Sequence, residues 1–138
     1  MSEEWKPDDL VYRKIHPSHA PDGKPSSQAF NPTSKDEGML SVDDSRLITA
    51  EDSWNHFTKN LGFQSAGTWA VSFDEIEGSC GLVLLKDPLD DPENPSLKNP
   101  AHCLIDFNGL ASKGEKKRWA QQLAIIASAR GNQFQPEN

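Results

Sequence analysis

Apolar positions are spread unevenly along the chain. Residues 16–38 hold only a handful, whereas 66–85 and 101–107 are rich in them, so the core is expected mainly from the second half. Leu10–Ile15 alternates in part and carries β-branched and aromatic residues, which predicts a first strand ended by Pro17. His16 to Gly38 is built from Pro, Gly, Ser, Asn and Asp, the chemistry of turns, with a short extended piece expected at Ser27–Phe30. Met39–Val42 predicts a second strand. Thr49 before Glu51 and Asp52 reads as a helix start, with Trp54, Phe57 and Leu61 at helical spacing and Gly62 as the stop, predicting a helix over 50–61.

Thr68–Phe73 has strand composition, and a brief helical turn through Ile76 follows. The continuous apolar run Leu82–Lys86 is expected at the sheet centre, and His102–Phe107 as a further strand. Between them Asp87–Pro100 is rich in proline and acid, which predicts an exposed loop with no strand in it. Ser112 and Glu115 match a capping box. The helix they open presents Trp119, Leu123, Ile126 and Ala127 on one face, and Gly131 ends it. The expected architecture is α+β: a small mixed or antiparallel sheet with two main helices packed on one side of it. It occupies residues 10–131 as a single domain between flexible tails at 1–9 and 132–138.

Composition narrows the function classes. The formal charge of -7 removes the usual driving force for nucleic acid or an anionic membrane. Lys113, Lys116, Lys117 and Arg118 form the one basic cluster, and a solvated helix face accounts for it. Cys80 and Cys103 lie in or beside apolar segments and are expected as buried free thiols of a reducing compartment. MSEEWKPDDL has acids where a secretory signal needs bases, and no apolar run is long enough to cross a bilayer, so a cytoplasmic protein is expected.

Candidate chemistry is sparse. No phosphate loop, dinucleotide fingerprint, nucleophile elbow or zincin motif is present. His16 and His19 lack partners at a zinc spacing, so no metal is expected; His102 and Cys103, as strand neighbours, point to opposite faces. The acidic stretch Asp87–Glu93 lacks the glycine turn of a calcium loop. The set that holds most promise is Tyr12, Arg13, His16 and His19 with Ser26, Ser27, Gln28, Ala29 and Phe30. An arginine fork and serine hydroxyls suit a phosphorylated ligand. In outline this set resembles the nicotinamide-nucleotide grip of ADP-ribosyltransferase-like folds, which implies a later catalytic residue, for which Asp74, Glu75 and Glu77 are available.

A broader pattern is Tyr12-Arg13-Lys14-Ile15-His16-Pro17, Ser26–Phe30, Leu40-Ser41-Val42, Trp69-Ala70-Val71, Asp87-Pro88 and Pro100-Ala101-His102. It resembles a group of small uncharacterised bacterial proteins over about residues 10–107, which implies a bacterial setting and no particular activity. The expected function is therefore a non-catalytic accessory domain with a protein partner, no cofactor, and homodimerisation as an option given four tryptophans. The alternative is a small nucleotide-handling enzyme, ADP-ribosyl-transferring or NAD-cleaving, that uses Arg13, His16 and Ser27.

Overall fold

A computed structural model describes residues 5–32, 37–109 and 112–136. The strands are β1 (Leu10–Ile15), β2 (Met39–Asp44), β3 (Gly67–Ser72), β4 (Val83–Lys86) and β5 (His102–Asp106), and the helices are α1 (Ala50–Asn55) and α2 (Lys113–Arg130). The five strands form one sheet in the order β3-β1-β2-β5-β4, every neighbouring pair antiparallel. The α+β architecture expected from the sequence is the one observed.

Register explains where the core lies. Pairings of Val11 with Val71, Leu40 with Ile105, Val42 with Cys103 and Leu84 with Ile105 put these buried side chains on one face. There they join Leu123, Ala124 and Ala127 of α2 and Ala29 and Phe30 in a single apolar cluster. Lys14, Asp43 and Thr68 alternate onto the other face, where α1 docks: Ser53 and the Ala50 carbonyl bond Asp43 and Thr68. The two helices thus lie on opposite faces, not on one side as expected. The polar strand positions Lys14, Asp43 and Thr68 are what a second, hydrogen-bonded layer requires.

Helix ends follow the sequence signals. Thr49 Oγ1 accepts from Asp52 N at 3.1 Å and Ser112 Oγ accepts from Glu115 N at 3.2 Å. After Asn55, α1 widens into a π turn over His56–Asn60, with Leu61 N donating to His56 O. A wide turn of this kind re-aims side chains and is common at functional sites.

Two local expectations are corrected. Val83–Lys86 is the outer strand of the sheet; Val83 and Leu85 are 47% and 39% exposed while Leu82 and Leu84 are buried, so an unbroken apolar run hides a one-sided strand. Ser27–Phe30 is a 3-10 turn, held by Ala29 N on Ser26 O and packed against α2. Pro17–His19 and Pro21–Gly23 are 3-10 turns too, in line with the turn chemistry expected of this segment. Asp87–Pro100 holds no strand, as expected; Leu89 and Asn99 exchange backbone hydrogen bonds in an isolated bridge that closes the loop.

Packing extends beyond 10–131 at both ends. Trp5 stacks on Phe73 at 6.0 Å and lies 3.8 Å beneath the Arg46 guanidinium. Phe134 bridges to Thr68 and meets the Trp54 ring at 5.6 Å. Residues 1–4 and 137–138 of the expected tails lie outside the described residues. No helix among the described residues is long and apolar enough to cross a membrane.

Candidate functional site

The site originates in a break in the sheet. β1 pairs with β3 from Leu10 to Ile15, and β2 pairs with β5 from Met39 to Asp43. Yet β1 and β2 pair only at Val11–Asp44 and Tyr12–Asp43, and then part. Backbone groups left by such a parting need partners. Arg13 serves one of them: Nη1–H donates to Ser41 O at 2.9 Å, while Nε–H donates to Ala29 O of the Ser27–Phe30 turn at 3.0 Å. A guanidinium thus occupies the place where the ladder would have continued.

Over this gap opens a cavity of about 490 Å3. Its walls are the end of β1 with the following turn (Arg13 to His16, and His19), β2 (Ser41, Asp43), and the wide turn after α1 (His56, Phe57). Leu61, Phe63 and Gln64 close one side, and Leu89, Asn99 and His102 the other. Phe57 and Phe63 stack at 5.0 Å and give it an apolar side. The chain has four histidines, and all of them line this cavity. Arg13, Lys14 and Asp43 are the charged side chains of the lining, beside its four imidazoles.

The floor is a buried ion pair. Lys14 Nζ donates to Asp43 Oδ2 at 2.8 Å, Ser53 Oγ donates to the same oxygen at 2.6 Å, and Asn99 Nδ2 donates to Oδ1 at 2.8 Å. Burial lowers the Lys14 pKa from its usual value, only partly offset by Asp43. Burial also opposes the Asp43 charge, but Lys14, Ser53 and Asn99 outweigh it and hold that carboxyl below the usual carboxylate range. A half-satisfied network here would be unstable, and this carboxylate is satisfied from three elements.

At the rim, His102 is fixed from both nitrogens. Nδ1 lies 2.9 Å from the Asp87 carbonyl and 3.1 Å from its carboxylate, and Nε2 lies 3.1 Å from Ser41 Oγ. Asp87 N in turn donates to His102 O at 2.9 Å. His16 accepts from Ser18 N through Nδ1 at 3.0 Å, capping the Pro17–His19 turn, and its ring lies 6.0 Å from that of His19. His56 Nε2 is buried without a hydrogen-bond partner among the described residues. Among those residues no three His, Cys, Asp or Glu side chains are grouped to hold a metal.

No family model, curated protein or solved structure matches this chain. Geometry alone therefore sorts the candidate residues. Arg13, His16 and His19 are brought together at the cavity. Ser26 and Ser27 are half-buried in the neighbouring turn, away from its lining, and Ser26 Oγ has no hydrogen-bond partner among the described residues. Phe30 is fully buried in the apolar core, where a ligand cannot reach it. Glu75 and Glu77 have structural work elsewhere. Glu75 pairs with Arg130 at 2.8 Å and accepts from Ser72 N, while Glu77 accepts from Leu84 N. Cys80 and Cys103 are buried and free, their thiols pushed up to about 11 and about 12, first by burial. Lys117 and Arg118 lie exposed on α2, as a solvated helix face requires.

Lys14, Ser41, Asp43, His56, Asp87 and His102 carry much of the site and were not singled out as ligand groups from sequence. One signal was available for Asp87 and His102. They flank the loop between two expected strands, and an antiparallel pairing of those strands brings the loop's ends together.

Proposed function

We propose that the protein binds a small anionic metabolite with an aromatic part, a nucleotide being the class that fits, in the cavity over the β1–β2 gap. The observation that carries this reading is the gathering of every histidine in the chain, with Arg13 and Lys14, around one cavity of about 490 Å3. That volume falls within the roughly 300–1,000 Å3 of typical ligand pockets. The imidazoles and the Arg13 guanidinium are hydrogen-bonding groups suited to a phosphorylated ligand, and the Phe57–Phe63 pair offers a ring a stacking surface. Ligand conversion of the ADP-ribosyl-transferring or NAD-cleaving type belongs to this reading. Arg13 holds the gap open and His16 stands at the rim, while the orienting role expected of Ser27 passes to residues that line the cavity, Ser41 among them.

Thermal unfolding with NAD, AMP and ATP titrated separately tests it. A nucleotide present at ~100 times its dissociation constant adds roughly 2.7 kcal/mol of apparent stability. His56→Leu should weaken that effect. No shift with any of the three at millimolar concentration would sink the reading.

A protein partner is the second reading. Leu89 is 41% exposed beside the outer strand β4, whose Val83 and Leu85 are also uncovered. Sheet edges with apolar side chains are templates for added strands, from a partner or a second copy. Light scattering across a concentration series separates a homodimer from a monomer.

A further inference from the structure

We propose that Ser41 is an activated nucleophile and that the protein transfers or hydrolyses the acyl group of a small carboxylic ester. This goes beyond nucleotide binding: it uses the same cavity but requires no nucleotide.

The geometry is a relay of three groups. Asp87 presents a carboxylate and a backbone carbonyl to His102 Nδ1, at 3.1 and 2.9 Å. Neither can donate, so Nδ1 carries the hydrogen, and the neutral ring's lone pair is left on Nε2. That lone pair lies 3.1 Å from Ser41 Oγ, which donates its hydroxyl proton there. A serine activated by a base, and a base held in one tautomer by an acid, is the arrangement acyl transfer requires.

The fold builds it from both sides. Asp43 pairs with His102 and Ser41 with Leu104, so Ser41 and His102 are diagonal neighbours on one face of adjacent strands. Asp87 directly follows β4 and is locked to His102 by its own N–H donating to His102 O at 2.9 Å. Ser41 itself is exposed and lines the cavity. Phe57 and Phe63 provide room for an apolar acyl or aryl group.

In the reaction Ser41 Oγ bonds to the ester carbonyl carbon and its proton moves to His102 Nε2. The bond from that carbon to the alcohol oxygen breaks, and Nε2 returns the proton to the leaving alcohol. Water, losing a proton to Nε2, then attacks the acyl-Ser41 carbon. The carbon–Oγ bond breaks, Oγ regains the proton, and the carboxylic acid departs. Ser41 and His102 are catalytic; Asp87 is a positioning residue.

The full chain is treated with a fluorophosphonate and digested for mass spectrometry, and its release of p-nitrophenolate from p-nitrophenyl acetate is followed. The expected result is a stoichiometric adduct on Ser41, absent in Ser41→Ala. That variant should keep the parent's thermal midpoint, because its side chain is exposed. His102→Gln should slow both reactions by about 100-fold or more. Asp87→Asn should lower kcat with KM unchanged, a split that mere loosening of the loop would not produce. An unlabelled parent, an adduct elsewhere, or equal p-nitrophenolate release from Ser41→Ala overturns the proposal, and His102 is then only a pin for the Asp87–Pro100 loop. Nucleotide shifts are read on the parent separately, so either proposal can fail while the other stands.

Discussion

The two faces of the sheet are held by different physics. The α2 face is a close-packed apolar cluster fed by all five strands, where Phe30, Ile105, Phe107 and Leu123 are fully buried. The α1 face is held by directional bonds: a buried carboxylate satisfied by Lys14, Ser53 and Asn99, beside a cavity rimmed with imidazoles. Apolar packing tolerates no empty space, whereas a hydrogen-bonded layer can hold its members apart around one. The contrast teaches that one face chiefly supplies stability and the other most of the polar groups of the cavity, with Arg13 and Ile15 reaching it from the core side where β1 and β2 part.

The largest expected effect comes from the apolar face. Phe30→Ala removes a fully buried ring and should cost roughly 3–5 kcal/mol in urea unfolding. Direct ligand contacts should be untouched, because Phe30 belongs to the core. A loss under about 1 kcal/mol would mean that the two faces are less distinct than their packing indicates.

A somewhat smaller loss is expected on the polar face. Asp43→Asn leaves Lys14 buried without its counter-charge and should cost about 3 kcal/mol. Adding Lys14→Met should recover part of it, and the double-mutant cycle measures the coupling. Full additivity of the two substitutions would show that the pair does not act as one unit.

The smallest effect is a pH dependence. The Asp43 and Glu75 carboxyls sit below their usual pKa values in the folded chain: burial opposes ionisation, but Lys14 and Arg130, with neighbouring donors, outweigh it. Unfolded, each takes up its proton at about pH 4. Their stabilisation is therefore present above that range and is lost as pH falls through the lower folded values. Urea midpoints should drop on acidification, and the slope should flatten in Asp43→Asn more than in a surface Asp74→Asn control.

Much of the fold was legible because local signals and tertiary need agreed. The Thr49 and Ser112 caps, the β-branched strand segments and the stop at Gly131 each have one low-energy reading. The order of elements alone does not show that the helices take opposite faces; the alternation within β1 and β2 does. Lys14 and Asp43, the polar members, mark the second layer. β4 was misplaced because Val83 and Leu85 are as apolar as Leu82 and Leu84, so composition could not show that only alternate residues are covered. At the site, Arg13, His16 and His19 stood close together in the chain and were readable. Ser41, Asp87 and His102 meet only through strand pairing, and one sequence does not display that register.

The short seam between β1 and β2 also bears on how the molecule opens. Two paired positions join β3-β1 to β2-β5-β4, against six between β1 and β3. The sheet is therefore two panels joined along a brief paired edge, where its backbone ladder is shortest. Amides of β1 and β2 along that edge should exchange with deuterium ahead of those in the β2–β5 ladder. The cavity then has a width set by the angle between the panels, and anything it holds acts as the stitch the backbone lacks.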